Sequence, residues 1–263
     1  MTTITAPPRK LRFGTEETTF IVRSLRHSMR NGEALLMAVV LPVLLMLLFV
    51  TVFGGAIAGG GAAYVNYVVP GIILLCAGFG AASTAVDVAG DLSTGIMDRF
   101  RTMPIRSWAV LTGHVVASLV RNLFATAVVI GVALLVGFRP NGSPLDWLGA
   151  VALVALYILA ITYLFAAIGL SAGSAEAANG YGFILLFLPY LSSAFVPLDT
   201  LPDWLRWVAE YQPITPVIET IRGLLMGTDA GNQPWWAIGW CLLIVLIAVV
   251  WGAVMFRRKA GRR

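Results

Sequence analysis

The 263-residue chain is 59% hydrophobic and 12% charged, with mean hydropathy +0.86 and a formal net charge of +5. Soluble domains carry about 25% charged residues, so this composition excludes a soluble globular protein and calls for several membrane spans. Cys76 and Cys241 sit in apolar runs and imply no disulfide framework, and His27 and His114 are isolated, without metal-ligand spacing.

In chain order, residues 1–33 read as a cytosolic N-terminal segment, 34–256 as an all-α membrane domain and 257–263 as a basic cytosolic tail. Residues 18–32 suit an interfacial helix, with Ile21, Val22, Leu25 and Met29 on one face and Arg23, Arg26 and Arg30 on the other. Six apolar stretches approach or exceed the roughly 20 residues needed to cross a hydrocarbon core: 34–53, 64–86, 109–138, 147–170, 179–196 and 235–256. The first begins too late and runs too long for a cleavable signal peptide, although AIA at 56–58 mimics a cleavage site. The run GGAIAGGG at 54–61 lacks the lysine of a phosphate-binding loop and reads as a flexible hairpin.

Between the second and third stretches lies DVAGDLSTGIMDRFRTMPIRSW, residues 87–108, with Asp87, Asp91, Asp98, Arg99, Arg101 and Arg106. Read as a short helix, Leu92, Ile96, Phe100 and Met103 share one face, and Asp91, Gly95, Asp98 and Thr102 the other. Pro104 forbids continuation and Ser107 can cap the next helix. Such a helix joining two spans is a docking handle for a soluble partner. The aspartates lack a nearby His or Glu to complete a metal or acid/base site.

In the third stretch, His114 and Arg121 are the ionisable residues, and Arg121 is expected to snorkel to the cytosolic surface. The other stretches hold no Asp, Glu, Lys, Arg or His. Proton-driven transport places such residues inside the spans, so neither a proton relay nor an ATPase is encoded here, and any transport must draw energy from another polypeptide. The loop at 197–234 is amphipathic. Leu201, Trp204, Leu205, Val208 and Tyr211 form a stripe at helical spacing, and Glu219 and Arg222 form an i, i+3 pair in a second short helix. Segments this short dip into the interface or re-enter against protein.

Fourteen of eighteen Lys/Arg fall in the N-terminal segment, the 87–108 loop and the C-terminal tail, against three in the opposite loops. That bias places both termini and the 87–108 loop in the cytosol of a multi-pass plasma-membrane protein.

GIMDRFRTMPIRSWAVLTG at 95–113 closely resembles the cytosolic-loop signature of ABC-2 type permeases, nearest to the daunorubicin-resistance branch. YVNYVVPGIILL at 64–75 resembles that family's second-span opening, and YQPITPVIETIRGLLMG at 211–227 its outer-loop segment before the last span. Thr102–Met103 replaces a Ser-Leu pair, and Ser107–Trp108 stands where a basic residue is common.

The resemblance implies six spans with an N-terminal interfacial helix, a coupling helix between spans 2 and 3, and re-entrant outer helices between spans 5 and 6. It implies a dimer, each permease paired with a cytosolic ATPase subunit that carries ATP and Mg, with no cofactor in this chain. The motion implied is alternating access. ATPase coupling would rest on Asp91, Ile96, Asp98, Arg99, Phe100, Arg101 and Met103. Candidate liners of the substrate path, by residue type, are Ser83, Thr84, Asn179, Tyr181, Tyr190, Ser192 and Ser193, with helix packing as the alternative for each. Trp204, Leu205, Val208, Glu219 and Arg222 would form an outer gate. The expected cargo is a hydrophobic or amphipathic drug or a lipid; a polysaccharide or glycolipid, or a non-transporting scaffold that docks a cytosolic partner, stays open. Membrane lipids, and no nucleic acid, are the other expected contacts.

Overall fold

The computed structural model describes residues 32–54, 61–93 and 107–260, and among these every regular element is helical. The elements are α1 (Gly32–Phe53), α2 (Gly61–Ser93), α3 (Ser107–Val136), α4 (Pro144–Ser171), α5 (Ala175–Leu185), α6 (Asp203–Tyr211), α7 (Ile214–Met226) and α8 (Gln233–Ala260), with 3₁₀ turns at Leu188–Leu191 and Leu198–Thr200 between α5 and α6. α2, α3, α4 and α8 are long and apolar enough to cross a membrane, and α1 adds a shorter apolar helix over Ala38–Phe53. The expected interfacial helix falls, but for Gly32, outside the described residues.

α2 is the centre of the bundle. It packs against α1, α3, α4, α5 and α7, and Ile72, Ile73, Leu74, Leu75, Cys76 and Ala77 are all buried. α4 is second in burial and lies between α2 and α8. α1 and α8 are peripheral and keep apolar faces outward: Leu36, Leu44, Leu48 and Val52 on the first, Leu242, Leu246 and Val250 on the second. In lipid such faces cost nothing, and interhelical contact then depends on close packing and polar bonds rather than on water exclusion.

α2 has 33 residues, about 50 Å at the helical rise, more than the hydrocarbon thickness. It continues past the expected end of the span at Val86 as far as Ser93. Asp87, Asp91 and Leu92 therefore stand on the spanning helix itself and not on a separate short one. The N-terminal end of α2 meets α7, and its C-terminal end leads into 94–106.

One continuous crossing over 179–196 is not what forms. α5 stops at Leu185, and the chain proceeds through the Leu188–Leu191 turn and bends up to Val196. Pro189 explains the break, because it lacks a backbone N–H and disfavours helical geometry in the residue before it. The backbone that follows is satisfied by neighbours. Ser192 Oγ donates to the Pro189 carbonyl (2.5 Å), Ala194 N donates to Ser192 Oγ (3.1 Å), and the Tyr64 phenol of α2 donates to the Phe195 carbonyl (3.1 Å). Irregular backbone at membrane depth survives only when buried in protein, and residues 192–195 are buried. Gly71 on α2 makes the approach possible: an ideal Cβ there would lie 2.5 Å from Ala194 Cβ. This gives Gly71 of the 64–75 motif a steric reason.

Candidate functional site

The polar residues of α2 and α3 meet in a continuous seam. On α2 they fall at 83, 84, 87 and 91, and on α3 at 114, 118, 121 and 122, both close to one helical stripe. His114 Nε2 lies 3.1 Å from Asp91 Oδ2. One to two turns deeper, Arg121 Nη1 lies 4.0 Å from Asp87 Oδ2, while its Nη2 donates to the Gly80 carbonyl (2.9 Å) and to Ser83 Oγ (2.5 Å). Thr84 Oγ1 donates to Ser118 Oγ (2.9 Å), which also receives Asn122 Nδ2 (3.1 Å) and lies 3.5 Å from Thr162 Oγ1 of α4.

Three expectations meet the structure here. Arg121 does not snorkel outward. It is 9% exposed, because the Gly80 carbonyl, Ser83 and Asp87 supply partners inside the bundle. Thr84 is buried, and both it and Ser83 place their hydroxyls in hydrogen bonds with neighbouring groups. Asp91, expected on a partner-facing surface, is turned toward His114. The remaining coupling candidates, Ile96, Asp98, Arg99, Phe100, Arg101 and Met103, lie outside the described residues.

At the opposite end of α2, Arg222 of α7 ties three elements together. Its Nη1 donates to Glu219 Oε1 (2.6 Å), and its Nη2 donates to the Tyr67 carbonyl of α2 (3.1 Å) and to the Ser193 carbonyl (2.8 Å). The guanidinium carbon sits 3.8 Å from the centroid of the Tyr67 ring, a cation–π contact. The Glu219–Arg222 pair read from spacing forms, whereas its carbonyl partners were not legible from spacing. They depend on the break after α5, which brings Ser193 to α2.

The α6 stripe does not pack into this chain as expected. Trp204 is 72% exposed, and Val208 and Tyr211 are exposed too, with Leu205 half-buried. Ala209 is the residue α6 buries. Tyr211 instead pairs with Trp207, ring centroids 5.7 Å apart. Among the other path candidates, Asn179 and Tyr181 are exposed on α5, Tyr190 stacks on Phe195 (5.2 Å), and Ser192 and Ser193 are buried. An apolar cavity of about 80 Å³ opens beside the Pro189 break, bounded by Tyr157, Phe165, Leu186, Pro189, Ile214 and Cys241 among others, and none of the polar path candidates lines it.

Sequence reasoning missed Gly80 and Asn122. An ideal Cβ on Gly80 would lie 1.5 Å from Asn122 Oδ1, so the two fit only together. The available signal was the i, i+3, i+4 recurrence of polar residues on both helices, which becomes meaningful once the helices are known to be neighbours.

Comparison with known proteins places the chain in context. The ABC-2 type transporter family model matches residues 15–226. The chain is 30% identical over 214 residues, 80% of its length and 74% of the other's, to the daunorubicin resistance ABC transporter permease protein DrrB1 of Streptomyces coeruleorubidus. It is 24% identical over 241 residues, 90% of its length and 87% of the other's, to a Mycobacterium tuberculosis protein described as the doxorubicin resistance ABC transporter permease DrrC.

Proposed function

The chain belongs to the ABC-2 type transporter family, and from that premise we propose that it is the membrane-spanning permease subunit of an ATP-driven exporter of hydrophobic or amphipathic compounds. The similarity to drug-resistance permeases over most of the chain carries this reading. Permeases of this family work with ATPase subunits, typically as dimers. The chain is a multi-pass membrane protein, and in this reading it crosses six times: α1, α2, α3, α4, the broken segment from α5 through the Leu188–Leu191 turn, and α8.

Hydrolysis of Mg-ATP takes place on a separate cytosolic subunit that docks on the 94–106 segment, with Asp98, Arg99, Phe100 and Arg101 at the contact and no cofactor held by this chain. The Lys/Arg bias puts that segment and both termini in the cytosol, and puts α6, α7 and the Arg222 contacts outside. ATP binding shifts the ATPase dimer, and the spans follow as rigid bodies. The substrate passes between two permeases along faces that include Asn179, Tyr181 and Tyr190, which a single chain leaves exposed. Apolar outer faces of α1 and α8 meet lipid or the second permease.

The test is purification of the tagged chain from its native membrane in mild detergent, followed by reconstitution in inside-out vesicles with daunorubicin as probe. The exporter reading expects a co-purifying ATPase with a phosphate-binding loop and ATP-dependent uptake. A chain that brings down no ATPase overturns it. Co-purification without stimulated hydrolysis by any of a panel of drugs, lipids and glycolipids leaves a scaffold. Orientation is tested by thiol labelling from outside intact cells: Asp203→Cys and Asn141→Cys should react and Gly261→Cys should not, with the native Cys76 and Cys241 buried.

A further inference from the structure

We propose, on the basis of the exporter reading above, that the α2–α3 polar seam is the transmission element of this permease, and that Asp91 and His114 are the positioning residues that clamp its loop-proximal end. The 94–106 segment joins α2 to α3, so any displacement delivered there enters both helices. It reaches the opposite end of the bundle only if the two helices move together.

The seam makes them do so. Its rungs are Asp91 with His114, Thr84 with Ser118, and Gly80 with Asn122, in antiparallel order, while Arg121 reaches across them from the Gly80 carbonyl to Ser83 and Asp87. Sliding α3 along α2 by one residue would break all of them at once. An apolar seam would hold that register by close packing alone, because in lipid there is no hydrophobic penalty for re-pairing apolar faces. A displaced polar group, by contrast, is stranded in a medium that cannot hydrogen-bond it.

The chemistry is graded along the seam. The pairs nearest 94–106, Asp91–His114 and Asp87–Arg121, join ionisable side chains and keep their aspartates partly exposed. The deeper members, Ser118, Asn122 and Thr162, are neutral and buried. Beyond them α2 continues as one helix to Gly71, where Ala194 docks, and through Pro70 to Tyr67, where Arg222 docks. A displacement of 94–106 thus reaches the Ser193 carbonyl and the α7 end through one helix, held in register by the seam.

The geometry allows a swap test. With Ser193→Cys as reporter, the permease–ATPase complex in nanodiscs is labelled with a maleimide with and without ATP and vanadate. Ser193 is buried and its Oγ lacks a hydrogen-bond partner among the described residues, so the thiol is a mild change whose labelling reports opening. The reporter chain should change its labelling rate at least tenfold on ATP trapping. Asp91→His and His114→Asp, each alone, should lose that change while still binding the ATPase and hydrolysing ATP. The double swap should restore it to within about threefold. A single variant that fails to reach the membrane is replaced by Asp91→Asn or His114→Gln. Singles that keep the full response, or a swap no better than the singles, overturn the seam alone. A reporter chain that binds no ATPase, or shows no ATP response, overturns the exporter reading and the seam's role with it.

Discussion

Asn122 Oδ1 occupies the place where a side chain on Gly80 would begin: an ideal Cβ there would lie 1.5 Å away. The same carboxamide donates through Nδ2 to Ser118 Oγ, and the preceding residue, Arg121, bonds the Gly80 carbonyl. Consecutive residues of α3 thus grip one glycine of α2. Gly80→Ala should displace the carboxamide and cost about 1–3 kcal/mol, the usual range for overpacking. Asn122→Ala removes the obstacle, so the double variant should be more stable than the sum of the singles predicts, with a coupling of about 0.5–3 kcal/mol. Thermal or denaturant unfolding in detergent reads this cycle. Strict additivity would mean that the two residues do not share the space.

Arg222 should resist conservative replacement. Arg222→Lys keeps the charge but loses the planar fork that reaches Glu219 and the carbonyls of Tyr67 and Ser193. Its side chain is largely buried, and hydrogen bonds to charged groups are worth about 1.5–3 kcal/mol each, less what lysine can remake. The variant should unfold at lower temperature and should label Ser193→Cys faster without ATP, because the 192–195 segment loses its tether. Unchanged labelling would show that Tyr64 and the local turn hold the segment unaided.

Exposure makes Trp204 a probe of what lies outside one chain. Trp204→Asp should leave the unfolding free energy of the detergent-solubilised permease within about 0.5 kcal/mol of wild type, as for other surface substitutions. In the membrane the same change should lower transport, because the α6 face meets either the bilayer interface, where Trp and Tyr concentrate, or a second permease. Wild-type transport by the variant would remove α6 from the gate.

The pattern of what sequence reasoning reached follows from which forces are local. Span positions at α2, α3, α4 and α8 come from runs of apolar residues that need no partner to be recognised. The Glu219–Arg222 pair is set by helical spacing alone. The break at Pro189 was visible as a proline but hidden by the apolar composition around it. The fate of Arg121 was not legible, because snorkelling and burial are both allowed for a span arginine, and the choice depends on Gly80, Ser83 and Asp87 of another helix. The α6 stripe was read correctly as amphipathic, but periodicity cannot say whether an apolar face meets its own chain, lipid or a partner.

The coupling contact can be tested independently of the residues described structurally. Phe100 is an aromatic residue in a charged stretch between two apolar runs, and a buried aromatic is the usual energetic centre of a protein contact. Asp98, Arg99 and Arg101 beside it can orient the partner through charge-assisted hydrogen bonds. Phe100→Ala should weaken association with the ATPase by about 2 kcal/mol or more, roughly thirtyfold in affinity. Asp98→Arg should reverse a local charge and reduce stimulated hydrolysis more than binding. Neither residue belongs to an apolar run, so both variants should insert normally, which the thiol-labelling pattern at 141, 203 and 261 checks. Seam variants and loop variants should then separate cleanly. Phe100→Ala loses the ATPase, whereas Asp91→His keeps it and loses only the response at Ser193→Cys. If Phe100→Ala binds and stimulates the ATPase as wild type does, the contact lies elsewhere on the cytosolic surface, and the seam must then be driven from a different point.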